Sequence, residues 1–146
     1  MRTTIMLLFL TACSLSFATP PAPLDASHPG SLSYDLNFEI IEENFMGRKS
    51  FLFLPEQKRN ELSAVIVFGH GQAIGLKGYD ATLEHLAKKG IAAIFVKYDK
   101  GFFDRKWRRM ADDFNAITQN FLEKYSHRLD PKRLIYSGHS LSLIHI

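Results

Sequence analysis

From Tyr34 onward the spacing of apolar residues changes several times along the chain, and each change predicts an element. Leu36, Phe38 and Ile40 alternate with Asp35, Asn37 and Glu39, the period-two pattern of a half-buried strand. Asn44 to Arg48, containing Gly47, reads as a turn, and Lys49 to Leu54 as a second strand ended by Pro55. Together they predict an antiparallel hairpin at a sheet edge, followed by a polar loop over residues 57–60. Ser63 to Phe68 is a continuous apolar run without alternation, which suits an interior parallel strand covered on both faces. It runs into Gly69-His70-Gly71-Gln72.

Tyr79 to Lys89 predicts a helix with Leu83, Leu86 and Ala87 as its apolar stripe, Lys88 and Lys89 at its C-terminal dipole and Gly90 as its stop. Ile91 to Val96 is the next buried strand, and strand, helix, strand in this order predicts a right-handed crossover in a parallel sheet. A longer helix, capped by Asp104 and reaching about Tyr125, follows from Trp107, Met110, Phe114, Ile117, Phe121 and Tyr125 recurring every three or four residues. Leu129-Asp130-Pro131 reads as a turn and Arg133 to Ser137 as a fifth strand, its buried Ile135-Tyr136 leading into Gly138-His139-Ser140. The fold class is therefore α/β, an N-terminal antiparallel hairpin followed by a parallel βαβαβ unit.

The residues before Tyr34 follow no such pattern. Met1-Arg2, the apolar run Ile5 to Leu10 and the small residues after it form an export signal over residues 1–18. Two processing routes stay open: cleavage after Ser16-Phe17-Ala18, or a lipoprotein box, Leu10-Thr11-Ala12-Cys13, that would anchor the protein through a lipid on Cys13. The run is shorter than the ~20 apolar residues a spanning helix needs. Residues 19–33, with Pro20, Pro21, Pro23, Pro29 and Gly30, read as a linker.

Composition narrows the classes. At 46% hydrophobic and 23% charged, the 146 residues suit one globular domain. The single cysteine excludes an internal disulfide and a cysteine-cluster metal site, and nothing in the sequence calls for a metal or cofactor. With a net charge of only +3, Arg105, Lys106, Arg108 and Arg109 read as a solvated helix face and not as a nucleic-acid patch. Neither glycine turn carries G-x-G-x-x-G or a phosphate-loop lysine, which speaks against a nucleotide-binding domain.

The candidate chemistry lies in the two turns. Gly138-His139-Ser140 matches the first three residues of G-x-S-x-G, a turn that lifts a serine hydroxyl above a sheet; Ser142 stands where the second glycine is called for. If both strands are parallel, both turns lie at the same end of the sheet. An attacking serine turns a carbonyl oxygen into an anion that needs donors fixed beforehand. One is the backbone N–H after the serine, here Leu141; the other comes from the loop after the third strand, where Gln72, following His70-Gly71, is the candidate through its main chain.

In order and spacing, the His-Gly-x turn, helix, strand, amphipathic helix and Gly-His-Ser resemble the α/β-hydrolase family over Tyr34 to Ser140. The resemblance implies Ser140 as nucleophile, Gln72 and Leu141 as oxyanion donors, and His139 as the variable elbow residue, with His70, Gly71 and Gly138 as motif support. It implies a serine esterase or lipase acting on a small-molecule or lipid-like ester through an acyl intermediate. The alternative is a non-catalytic binding module of the same fold.

In that family the triad acid and histidine follow the serine. His28, His70, His85 and His127 precede it, His145 is too close to reach over it, and Asp99, after the fourth strand, is a lesser acid candidate that reads first as a turn former. The final Leu-Ser-Leu-Ile-His-Ile is what CTG TCT CTT ATA CAC ATC, the end of a transposon adapter used in sequencing libraries, would translate to. Residues 141–146 are thus expected to be translated adapter on an inactive fragment cut at Ser140, the other reading being a short native helix that Ser142 is small enough to allow.

Overall fold

The computed structural model describes residues 28, 30–32, 34, 36–56, 61–72, 74–101 and 103–139. The export signal with Cys13, most of the proline-rich segment, loop 57–60, Ser140, Leu141 and the adapter-like tail lie outside them. The chain separates into two units, Met1–Ser33 and Tyr34–Ile146. In the first, a short turn is described in which Ser31 N–H donates to the His28 carbonyl at 3.0 Å. Among the described residues, all the strands and helices belong to the second.

That structure comprises strands β1 (Phe38–Phe45), β2 (Arg48–Pro55) and β3 (Ser63–Gly69), helix α1 (Asp80–Lys88), strand β4 (Ile91–Val96), helix α2 (Trp107–Lys124) and strand β5 (Leu129–Gly138). The five strands form one sheet in the order β1-β2-β4-β3-β5. β1 and β2 pair antiparallel, β2 and β4 antiparallel, and β3 pairs parallel with both β4 and β5. The predicted hairpin followed by parallel strands is what the sheet shows. Among the described residues no helix is long and apolar enough to cross a membrane.

Period-two alternation sends the residues of each strand to two separate cores. Leu52, Leu54, Val65, Val67, Ala92, Ile94 and Val96 pack with Met110, Phe114, Ile117 and Phe121 of α2. Phe53, Ala93 and Phe95 pack with Leu83 and Ala87 of α1. The two helices therefore cover opposite faces of the sheet, each along the stripe its spacing predicts. Gly90, at φ +83°, ends α1 by donating to the Ala87 carbonyl at 2.9 Å, a left-handed stop that a side chain would strain.

Four local expectations change. β1 runs on to Phe45, because Met46 (φ 55°) and Gly47 (φ 73°) make a tight two-residue turn whose twist matches the strands. Ile40 is consequently 51% exposed, while Ile41 and Phe45 reach the α2 core. Asp104 does not cap α2, whose N-cap position is Lys106; it braces the helix entry through Lys100 N–H at 2.8 Å and an ion pair with Arg109. Arg109 is accordingly half-buried and ion-paired, since it also pairs with Asp113, which binds Arg48 at 2.8 Å.

The fourth concerns β5. It begins at Leu129, and the expected turn is a bulge inside it, the pairing passing from Ser63–Leu129 directly to Val65–Leu134. Asp130 accepts from Lys132 N–H at 2.9 Å and Arg133 Nε at 2.7 Å, and Pro131 needs no ladder partner there. Ile135 and Tyr136, on the edge strand β5, are not buried but 58% and 41% exposed.

Candidate active site

The strand order fixes where a site can form. After β3 the chain crosses to one side of that strand to make β4, then returns to its other side to make β5. The carboxyl end of β3 is thus a topological switch point, where an open α/β sheet leaves a crevice for ligands. Both glycine turns meet there. Gly69 and Gly138 are the last register partners of the β3–β5 ladder, and His139 N–H continues it by donating to the Gly69 carbonyl at 3.0 Å.

The turn after β3 is held from several directions. His70 is fully buried, its ring stacked on Tyr98 (centroids 4.3 Å apart) and on Phe95 (5.4 Å). Its Nδ1 lies 2.7 Å from the Gly71 carbonyl; as a carbonyl only accepts, Nδ1 carries the proton. Asp99 Oδ2 is 3.9 Å from the same nitrogen, yet burial pushes His70 below the usual imidazole range, outweighing the hydrogen bond to Gly71 and Asp99. The ring is neutral at pH 7, and Asp99 takes its counter-charge from Lys97 Nζ at 2.5 Å.

Two tyrosine hydroxyls grip the next peptide unit. Tyr98 donates to the His70 carbonyl, and Gly71 N–H donates to Tyr79 Oη at 2.8 Å. Tyr79 Oη also lies 2.9 Å from His139 Nδ1, so a single hydroxyl spans the turn after β3 and the turn after β5. The backbone of Tyr98 is anchored in turn, its carbonyl accepting from Arg48 Nη1 at 3.0 Å.

This geometry bears on the predicted donor. Gly71 N–H is taken by Tyr79, and the Gly71 carbonyl accepts from both His70 and Ile74 N–H (3.1 Å). In a planar trans peptide the following N–H, that of Gln72, faces away from that carbonyl. Close approach of the turns also explains Gly71: a Cβ there would stand 2.9 Å from His139 Nδ1 and 3.2 Å from Tyr79 Oη.

Of the predicted site residues, the structure brings together His70, Gly71, Gln72, Gly138 and His139; Ser140 and Leu141 lie outside the described residues. Asp99 is buried beside His70 and Lys97, and His85 is on α1 with its Nδ1 3.1 Å from Tyr34 Oη. Tyr79 and Tyr98 are the residues sequence reasoning missed. Tyr79 reads only as the start of a helix, where its carbonyl indeed accepts Leu83 N–H at 3.0 Å, and no spacing marks its hydroxyl as belonging elsewhere.

Among solved structures the chain is similar to carboxyl esterase 2 of the mycorrhizal fungus Tuber melanosporum, with 22% identity and a TM-score of 0.53 over 92% of this chain and 46% of that one. A thermostable esterase of Pseudomonas putida is similar at 21% identity and TM-score 0.55, over 92% and 47% of the two chains. The acylaminoacyl peptidase of Pyrococcus horikoshii matches at 20% identity and TM-score 0.54, over 73% of this chain and 19% of that one. The domain is part of an α/β-hydrolase fold. No family profile matches the chain, and no curated protein sequence does. The chain spans just under half the length of the two esterases to which it is similar.

Proposed function

We propose that the chain is the N-terminal part of an exported serine hydrolase that cleaves a carboxylic ester or related acyl bond through an acyl-enzyme on Ser140. The observation that carries this reading is the 3.0 Å bond from His139 N–H to the Gly69 carbonyl, which seats the residue before Ser140 beside the His70-Gly71-Gln72 turn. Ser140 Oγ attacks the substrate carbonyl carbon as its proton passes to a histidine base, and the carbonyl oxygen takes up the π electrons. Gln72 N–H and Leu141 N–H donate to that oxyanion. Collapse expels the alcohol, which leaves with a proton from that histidine, and water then releases the acid. The base and its orienting carboxylate belong to segments after the serine that complete the fold, so the 146-residue polypeptide alone is inactive. Export proceeds by cleavage after Ala18 or by lipidation of Cys13, which the mass of the mature N-terminus distinguishes.

The test is fluorophosphonate labelling of the product of the native reading frame. Labelling at Ser140 that disappears in Ser140→Ala supports the hydrolase. A folded protein that never labels makes it a non-catalytic binding module instead. Sequencing the locus past the Ser140 codon checks the tail: Leu-Ser-Leu-Ile-His-Ile followed by a stop would overturn the adapter reading.

A further inference from the structure

We propose that Tyr79 is a positioning residue, a hydroxyl clasp that fixes the spacing between the oxyanion turn and the serine elbow. This rests on the hydrolase reading above. The clasp is built from a side chain that is itself immobilised: the Tyr79 ring lies 4.8 Å from Phe68 and 6.0 Å from Phe95, between centroids. Its backbone is fixed at the entry of α1, where its carbonyl accepts Thr82 and Leu83 N–H, each at 3.0 Å. The hydroxyl oxygen accepts Gly71 N–H at 2.8 Å, which leaves its one proton for His139 Nδ1 at 2.9 Å. His139 then carries its ring proton on Nε2.

The clasp acts on the reaction through geometry alone. Tyr98 holds the carbonyl side of the His70–Gly71 peptide and Tyr79 the N–H side, so that unit cannot rotate without breaking one of them. The Gln72 amide lies in the next peptide unit, whose carbonyl is held by His70 Nδ1 and Ile74 N–H, so its direction is set where the clasped unit meets those two bonds. At its far end the same hydroxyl holds the residue before Ser140. An oxyanion donor is effective only when its distance from the reacting atom is set beforehand. Tyr79 sets that distance through Gly71 and His139.

Tyr79→Phe keeps the ring and removes the hydroxyl. In the product of the native reading frame, kcat and the rate of fluorophosphonate labelling should fall about tenfold to hundredfold, with KM within twofold. The Gly71 amide should exchange with solvent faster, and the His139 Nδ1 nitrogen resonance should lose its hydrogen-bonded shift. Labelled wild type with unaffected kcat and labelling in Tyr79→Phe overturns this inference alone. Wild type that never labels overturns the hydrolase reading and the catalytic consequence with it. Should the variant fail to fold, the wild-type spectrum decides: a protected Gly71 amide and an Nε2–H tautomer at His139 support the clasp, and a proton on Nδ1 or an unprotected amide refutes it.

Discussion

Replacing Gly71 by alanine tests the contact on which the site is built. Gly71 does not lie in the left-handed region, so its backbone accepts alanine and only space opposes the change. The new Cβ would stand 2.9 Å from His139 Nδ1, 3.1 Å from Ile74 Cδ1 and 3.2 Å from Tyr79 Oη. Against His139 it falls about 0.5 Å short of ordinary contact. The imidazole is held at its backbone by Gly69 and at its ring by Tyr79, so relief comes from breaking the Tyr79 bond or from parting the two turns, at a cost of about 1–3 kcal/mol in stability. Displacing the Gln72 amide by such an amount lowers kcat by roughly tenfold or more. Gly75→Ala is the control, because its Cβ meets nothing within 4 Å and its φ is −85°. Both variants are compared by urea unfolding and by Ser140 labelling rate. If Gly71→Ala matches Gly75→Ala in both, the two turns do not touch at Gly71.

Three further outcomes follow from the packing. Asp113→Ala strips Arg48 and Arg109 of a common partner; with the Arg48 and Asp113 side chains 10% and 11% exposed, denaturant unfolding should show a loss of about 3 kcal/mol. Tyr125 is pushed up to about 12, first by burial and then by its hydrogen bond to Glu43. The folded state therefore holds a proton that the unfolded chain releases near pH 10, so stability is fully present below that pH and falls as pH rises to about 12, a slope that Tyr125→Phe removes. Ile135→Lys, on the exposed edge strand β5, should raise the concentration at which the 146-residue polypeptide aggregates, as judged by light scattering; unchanged aggregation would mean that this edge is not the sticky one.

Most elements were legible because their signals are local. The stripe from Trp107 to Tyr125, the apolar run Ser63 to Phe68 and Gly90 each declare a period or a backbone need within a few residues. The two turns, and their meeting at one end of a parallel sheet, followed from the order of those elements. Where the sequence misled, pairing had overridden pattern. Ile135 looks buried because it is apolar, yet exposure depends on what packs over its face of the sheet; Leu129 of the same edge strand is fully buried. Asp130-Pro131 looks like a turn, and its hydrogen bonds are indeed turn-like, but the strand resumes on both sides of it.

What only the tertiary structure decided is how the two turns are held. The order β1-β2-β4-β3-β5 places β5 beside β3, a choice made by the sheet and not by either strand alone. Tyr79 joins Gly71, eight positions away, to His139, sixty positions away, while Tyr98 reaches back twenty-eight positions to His70. A hydroxyl carries no periodicity and no directional preference along the chain. Its partner is whatever donor or acceptor folding brings within about 3 Å, and that distance exists only once the sheet has closed around it.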